Sequence, residues 1–415
     1  MSSVSRLLVV LSLPLGGASM AQGSAGGSSA TQRPRLPGVD TSLFYTVDAL
    51  GLVDGGRERG ADVLGNLDLV VTTDLEELAG LRGTRALFHG IADHGGSFSD
   101  RVGDAQIVSS IEAPETVRLF EAWVETDFAA SRASARVGLY DVNGEFDVLP
   151  SAGLFLNSSY GHGAEFGNSG RNGPSAFPVT SLAARLAWRP TDAGYVRAVV
   201  ADGVPGDPRH PDATAIRFDA GDGLLFAVEA GTVGSEVPEV LGRTRIRLAE
   251  LPPGERPRGW FHKFAIGVHG YTDGLGAGRD RGAVGVHLLA EQSLYVERDA
   301  PERGLAAFAR LSWADAAIGP FDAFASAGLV YRGPCDARPD DRIGLAVAVA
   351  RFSDRGTPTS GGFRLDYETD VELTWRAPVN DWLTLQPDVQ YVRNPGGDPG
   401  LDDAWVVGLR GIVSF

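Results

Sequence analysis

The chain is poor in cysteine and lysine and has no long apolar run, and each shortage closes off a class of protein. Cys335 is the single cysteine, so an intrachain disulfide framework is excluded and the thiol reads as a passive turn residue. Lys263 is the only lysine among 37 basic residues, set against 53 acidic ones, and the net charge of -16 argues against nucleic-acid binding. Nowhere do the roughly 20 uninterrupted apolar residues of a membrane-spanning helix occur, and helical periodicity is nowhere sustained. The G-x-S-x-G elbow, the H-E-x-x-H helix and the phosphate-cradling Gly-Lys-Ser/Thr loop are also missing. His262 and His269 share a strand pattern but fall on opposite faces, and His89, His94, His162, His210 and His287 are scattered without metal-ligand spacing. The acidic run 207–212 reads as a solvated turn rather than a calcium loop. No enzyme, metal or cofactor is expected.

Apolar residues nevertheless make up 43% of the chain, and they are dispersed in alternation. In 363–377, Phe363, Leu365, Tyr367, Val371, Leu373, Trp375 and Ala377 alternate with Arg364, Asp366, Glu368, Asp370, Glu372 and Arg376. One face is apolar with aromatics near its ends; the other is charged. The stretch 404–415 repeats the pattern, with Trp405, Val407, Leu409, Val413 and Phe415 opposite Ala404, Gly408, Arg410 and Ser414. A soluble sheet rarely leaves such an edge bare. Pairing with an early strand would close a barrel with its greasy face toward lipid and its charged face toward a wet lumen.

About 16 such strands are expected, at 40–53, 65–74, 84–93, 117–128, 133–142, 180–189, 195–202, 224–233, 259–271, 283–297, 305–313, 321–332, 343–352, 363–377, 382–393 and 404–415. The fold class is therefore all-β, a transmembrane antiparallel barrel of the bacterial outer membrane. Residues 1–21 read as a secretory signal, with Arg6, a short apolar core and small residues before the cleavage site. Residues 22–38 read as a flexible leader, leaving 39–415 as the barrel domain. Short connections at 130–132, 190–194 and 378–381 mark the periplasmic side. The exception is 234–258, a long segment on that side in which 244–248 could add a strand. Two outer connections, 94–116 and 143–179, are far longer than a hairpin needs, and loops of that length are usually functional; folded inward, they would narrow the channel.

Several segments resemble one family. They are RLFEAWVE at 118–125 with RVGLYDVNGEF at 136–146, GLFLNSSYG at 153–161, AEQSLY at 290–295 and LQPDVQYVRNPGG at 385–397. In this order they are similar to the carbohydrate-selective porin (OprB) family. The resemblance implies an outer-membrane channel that passes monosaccharides or short oligosaccharides by facilitated diffusion. A general diffusion porin selecting by size and charge is the alternative, followed by a barrel enzyme or adhesin. Whether copies associate stays open, because a lipid face and a subunit interface have similar compositions.

A constriction for sugars needs donors and acceptors for hydroxyls, aromatic faces for the C–H side of the ring, and weak enough binding to release. By period two, Glu121, Trp123 and Glu125 share one face, which sets Trp123 between two acids as a sugar-facing ring; the competing reading makes it a lipid-girdle anchor with Phe120, Ala122 and Val124 on the other face. Arg118, Arg136, Asp141, Asn143, Glu145, Asn157, Tyr160 and Arg171 lie on or near the longer loop and complete the candidate set. Thr384, Gln386, Asp388, Gln390 and Asn394 form a further polar face. With the acids of 363–377, they are expected to line water and bias ions.

Overall fold

The computed structural model describes residues 37–219, 221–235, 260–272, 283–354 and 364–415. The signal at 1–21, nearly all of the leader and most of 234–258, including 244–248, lie outside the described residues. Alternating sequence becomes sixteen strands: β1 (Val39–Gly56), β2 (Gly60–Asp74), β3 (Thr84–His94), β4 (Thr116–Phe128), β5 (Ala133–Tyr140), β6 (Ser181–Trp188), β7 (Gly194–Asp202), β8 (Leu224–Ser235), β9 (Phe261–Tyr271), β10 (Ala283–Val296), β11 (Gly304–Ala314), β12 (Phe321–Arg332), β13 (Arg342–Phe352), β14 (Tyr367–Pro378), β15 (Leu383–Arg393) and β16 (Asp402–Ser414). Each pairs antiparallel with its sequence neighbours, and β16 returns to β1, Phe44 facing Ser414 and Asp48 facing Arg410. The closed sheet leaves no edge.

Burial decides which face is wet. On β14, Glu368, Asp370 and Glu372 are fully buried while Leu373 and Trp375 are 51% and 43% exposed. The same inversion holds on β16, where Arg410 is buried and Trp405, Val407 and Leu409 are exposed. An apolar exterior around a charged interior is a barrel in hydrocarbon. Lys263, the only lysine, belongs to the interior.

The inner surface is not polar all round, which the alternation pattern had not indicated. Ala306, Phe308, Phe324, Ala346, Ala348 and Ala350 make an apolar inner patch on β11–β13. Against it pack Leu149, Leu154, Phe155 and Tyr160 from the long connection between β5 and β6. That connection enters the lumen through short helical turns at Val142–Gly144, Ala152–Leu154, Ser158–Tyr160 and Ala164–Gly167. Gly344 lets the wall approach it closely: a Cβ there would stand 2.7 Å from the Phe155 ring. Burying each large side chain of this plug contributes about 1.5–3 kcal/mol.

One local irregularity changes the expected phase. The β3–β4 register slips between the pairs His89–Glu121 and Gly90–Leu119. Arg118 and Phe120 above the slip and Trp123 and Glu125 below it are all buried. A bulge inserts one residue and shifts the alternation, so both parity classes face the lumen. Trp123 is buried beneath the Arg136 guanidinium and is not a lipid-girdle anchor.

Candidate functional site

An irregular loop inside a barrel brings backbone N–H and C=O groups that no ladder satisfies, and these must find partners. The wall supplies them. Glu229 accepts from Asp147 N (2.8 Å), Glu291 from Ser151 N and Oγ (3.1 and 2.6 Å), and Glu372 from Leu156 N and Asn157 N (2.6 and 3.0 Å). Glu368 does the same for the shorter inward loop, accepting from Ala105 N and Gln106 N (2.9 and 2.8 Å). Donors face the loop carbonyls. Arg310 donates to Asp147 Oδ1 and O and to Ser159 O and Gly161 O at 2.6–3.1 Å. Gln386 reaches Leu154 O at 2.7 Å, Gln390 reaches Val108 O at 2.9 Å, and Lys263 donates to Val148 O. The polar faces of β14 and β15, expected to line water, instead hold two loops in place.

The candidates sort into three groups. Glu125, Arg136 and Glu145 form a buried ion network with Arg185, which donates to Glu125 at 2.8 Å and pairs with Glu145 at 2.7 Å, while Arg136 donates to Glu125 at 2.9 Å. Burial pushes the Glu145 carboxyl up, but Arg136, Arg185 and Arg197 pull it down harder, to about 2. Asn157 and Tyr160 anchor the loop: Asn157 caps Ser159 N at 3.0 Å, and Tyr160 donates to Asp370 at 3.1 Å. Asn143 bridges the loop to itself through Gly161 O at 3.3 Å. Arg118 holds the 207–214 segment through Pro211 O at 2.8 Å. Arg171 stands apart, more than a third exposed, donating to Gly221 O and pairing with Asp222; it does not join the others.

Glu121, Trp123 and Asp141 make the third group. Trp123 Nε1 donates to Glu121 Oε1 at 3.1 Å, and Asp141 N donates to the same oxygen at 3.1 Å. The Arg136 guanidinium lies 3.8 Å from the Trp123 ring centre, a cation–π contact. Burial, with the Glu121 carboxylate next, pushes Asp141 up to about 8.

Sequence reasoning missed His89 and Asp68. His89 Nε2 lies 2.8 Å from Asp68 Oδ1, and since a carboxylate only accepts, that nitrogen carries the proton. Its other ring nitrogen lies 3.8 Å from Glu121 Oε2. These side chains keep 24% (Asp68), 15% (His89) and 15% (Glu121) of their surface open. By contrast, every inward side chain of β10, β13 and β14 at mid-barrel is buried under the loops. β2 and β3 carry Asp68 and His89 on their inner faces, but nothing local in the sequence marks the two as neighbours. Among the described residues no cluster of His, Cys, Asp and Glu fits a metal ion.

A family model, the carbohydrate-selective porin of the OprB family, matches residues 58–415. The chain belongs to the OprB family. Porin B of Pseudomonas aeruginosa is 27% identical over 410 aligned residues, covering 90% of this chain and 87% of that protein. The high-pH structure of Pseudomonas putida OprB superposes with a TM-score of 0.75 at 22% identity, over 91% of this chain and 94% of that one. The low-pH structure of the same protein superposes with a TM-score of 0.57 at 20% identity, over 91% and 93%. At those identities the structures speak for the fold, and the family match carries the rest. This OprB-family chain is an outer-membrane carbohydrate channel, a multi-pass barrel and not an enzyme.

Proposed function

We propose that monosaccharides and short oligosaccharides cross this OprB-family barrel along the strip of lumen beside β1–β4, where the inward loops leave the wall open. The observation that carries this reading is the contrast in coverage: Phe44, Asp68, Arg85, His89 and Glu121 stay partly exposed inside the barrel, while the opposite wall is sealed by the two loops. Asp68 and Glu121 present carboxylate oxygens that accept hydrogen bonds from sugar hydroxyls. Trp123 and Arg136 back them as a rigid layer rather than a bare stacking platform. Residues 1–21 direct export and 22–38 are a leader to the barrel.

Liposome swelling with purified protein tests the reading, comparing glucose, a disaccharide and neutral non-sugar solutes of matched size. Faster entry of glucose than of the matched solutes supports a sugar path. Entry ranked by size alone makes this a general diffusion channel within the same fold.

A further inference from the structure

The long connection between β5 and β6 meets the wall in two different ways. Its first part, 147–160, is held through its backbone by Glu229, Glu291, Glu372 and Arg310. The following stretch, 164–170, docks on β9–β12 by other means. Phe166 stacks on His269 with 4.0 Å between ring centres, Ser169 Oγ meets the Tyr271 hydroxyl at 2.9 Å, and Gly170 N donates to Ile318 O at 2.7 Å. Between these contacts lie polar groups with nothing to bond. Both carboxylate oxygens of Glu165 and both ring nitrogens of His269 are fully buried and have no hydrogen-bond partner among the described residues.

The cations around Glu165 are already engaged. Arg310 on β11 is bound to Asp147 and to loop carbonyls, His287 on β10 donates Nε2 to Glu229 of β8 at 3.1 Å, and Lys263 on β9 donates to Val148 O. Asp147 adds a second negative charge nearby, and His162, held below its usual value by burial, stays neutral. Ser312 on β11 directs its hydroxyl to Phe324 O at 3.5 Å. From β12 come Phe321 and Phe324, packed with Ala164, while Asp315 is exposed and Asp322 pairs with Arg351. A carboxylate formed at Glu165 is therefore a buried charge without a donor.

We propose that 164–170 is a proton-operated leaf of the inward loop, docked on β9–β12 while the Glu165 carboxyl is protonated and released into the lumen when it ionises. Gly170 and Gly173, at φ of +74° and +75°, supply its far hinge. The leaf lies on the wall opposite the β1–β4 strip, so its movement is separable from the sugar path. Burial, with Asp147 next, raises the docked carboxyl from 4.5 to about 7, and release returns it to its ordinary value. The docked form holds the proton more tightly, so the docking constant falls about tenfold per pH unit between 4.5 and 7. Docking is strongest in acid and weakest above about 7.

The test combines hydrogen exchange of the full-length protein in detergent micelles with single-channel conductance in planar bilayers, both followed from about pH 4.5 to about pH 8. Exchange of 164–170 is read as a ratio to that of 147–160 in the same molecule, which cancels the intrinsic pH dependence of amide exchange. In the wild type the ratio should rise by up to about tenfold per pH unit and level off by about pH 7. Conductance should rise over the same range. Glu165→Gln, isosteric and uncharged, should hold both readings flat at their acid values. Phe166→Ala, which removes the stack on His269, should raise both already at about pH 5. Heat-modifiable migration checks that each variant folds, and Glu165→Gln decides the matter even where Phe166→Ala does not fold. A flat ratio in the wild type overturns the leaf. A pH response that survives in folded Glu165→Gln places the proton elsewhere and overturns it equally.

Discussion

The wall of β1–β4 and the wall of β8–β15 are built from the same alternating pattern and both carry inward charges, yet they do different work. On β8–β15 the charges face loop backbone: Glu229, Glu291, Glu368 and Glu372 accept from N–H groups, and Arg310, Lys263, Gln386 and Gln390 donate to carbonyls. On β1–β4, Asp68, His89 and Glu121 face each other and keep open surface. A charge in a lumen is therefore no sign of a solute site by itself. What decides is whether irregular backbone needs it, because an unpaired buried N–H or C=O costs more than a solvated carboxylate.

Breaking the gripping wall should have the largest effect. Arg310→Met leaves the buried Asp147 carboxylate without its guanidinium partner, with Gly163 N still donating, and takes the arginine donor from several loop carbonyls. It should destabilise the folded protein by about 3–5 kcal/mol in denaturant unfolding, and it should raise single-channel conductance as the loop loosens. An unchanged conductance would show that the loop is held by its apolar packing instead. Leu345→Arg on the exposed face of β13 should cost about 2–4 kcal/mol if that position sits near the bilayer midplane, and it should leave conductance alone. The pair separates loop anchoring from barrel insertion.

A subtler probe is pH. Glu165 sits on the loop, fully buried, with neither carboxylate oxygen hydrogen-bonded to a described residue. Burial first, then the nearby Asp147, raises it from 4.5 to about 7. Because the folded value is the higher one, its contribution to stability is whole below about 4.5, falls as pH rises toward 7 and is gone above it. Glu165→Gln should therefore add on the order of 2 kcal/mol at pH 8 and nearly nothing at pH 4. Denaturant midpoints at the two pH values check this, and equal gains at both would contradict it. Glu145, held down to about 2, behaves oppositely, with its stabilising ionisation lost only as pH falls toward that value. The smallest change is expected at Arg171→Ala, within about 0.5 kcal/mol, because that side chain sits exposed at the rim.

The barrel was legible in the sequence because membrane strands are dictated locally. A period-two pattern with aromatics at its ends marks each strand and its two faces. On β14 the alternation of Glu368, Asp370 and Glu372 with Val371, Leu373 and Trp375 separated a charged face from an apolar one, and burial then set the charged face inward. The long connections 94–116 and 143–179 could be picked out by length alone. Within the candidate set, Trp123 could not be placed, because the bulge that turns both Phe120 and Trp123 inward is a property of the β3–β4 pairing and not of β4 alone.

Sequence by itself determined the strand count, the inverted faces and the two loops as distinctive segments, since each follows from residues adjacent in the chain. Tertiary structure alone decided which lumen charges hold backbone and which remain open. Glu372 meets Leu156 across 216 residues of chain, and Arg310 meets Asp147 across 163. Those pairings exist only after the barrel closes and the loops fold in. The same closure leaves Asp68, His89 and Glu121 partly open, with the loop reaching them through Asp141 N on Glu121.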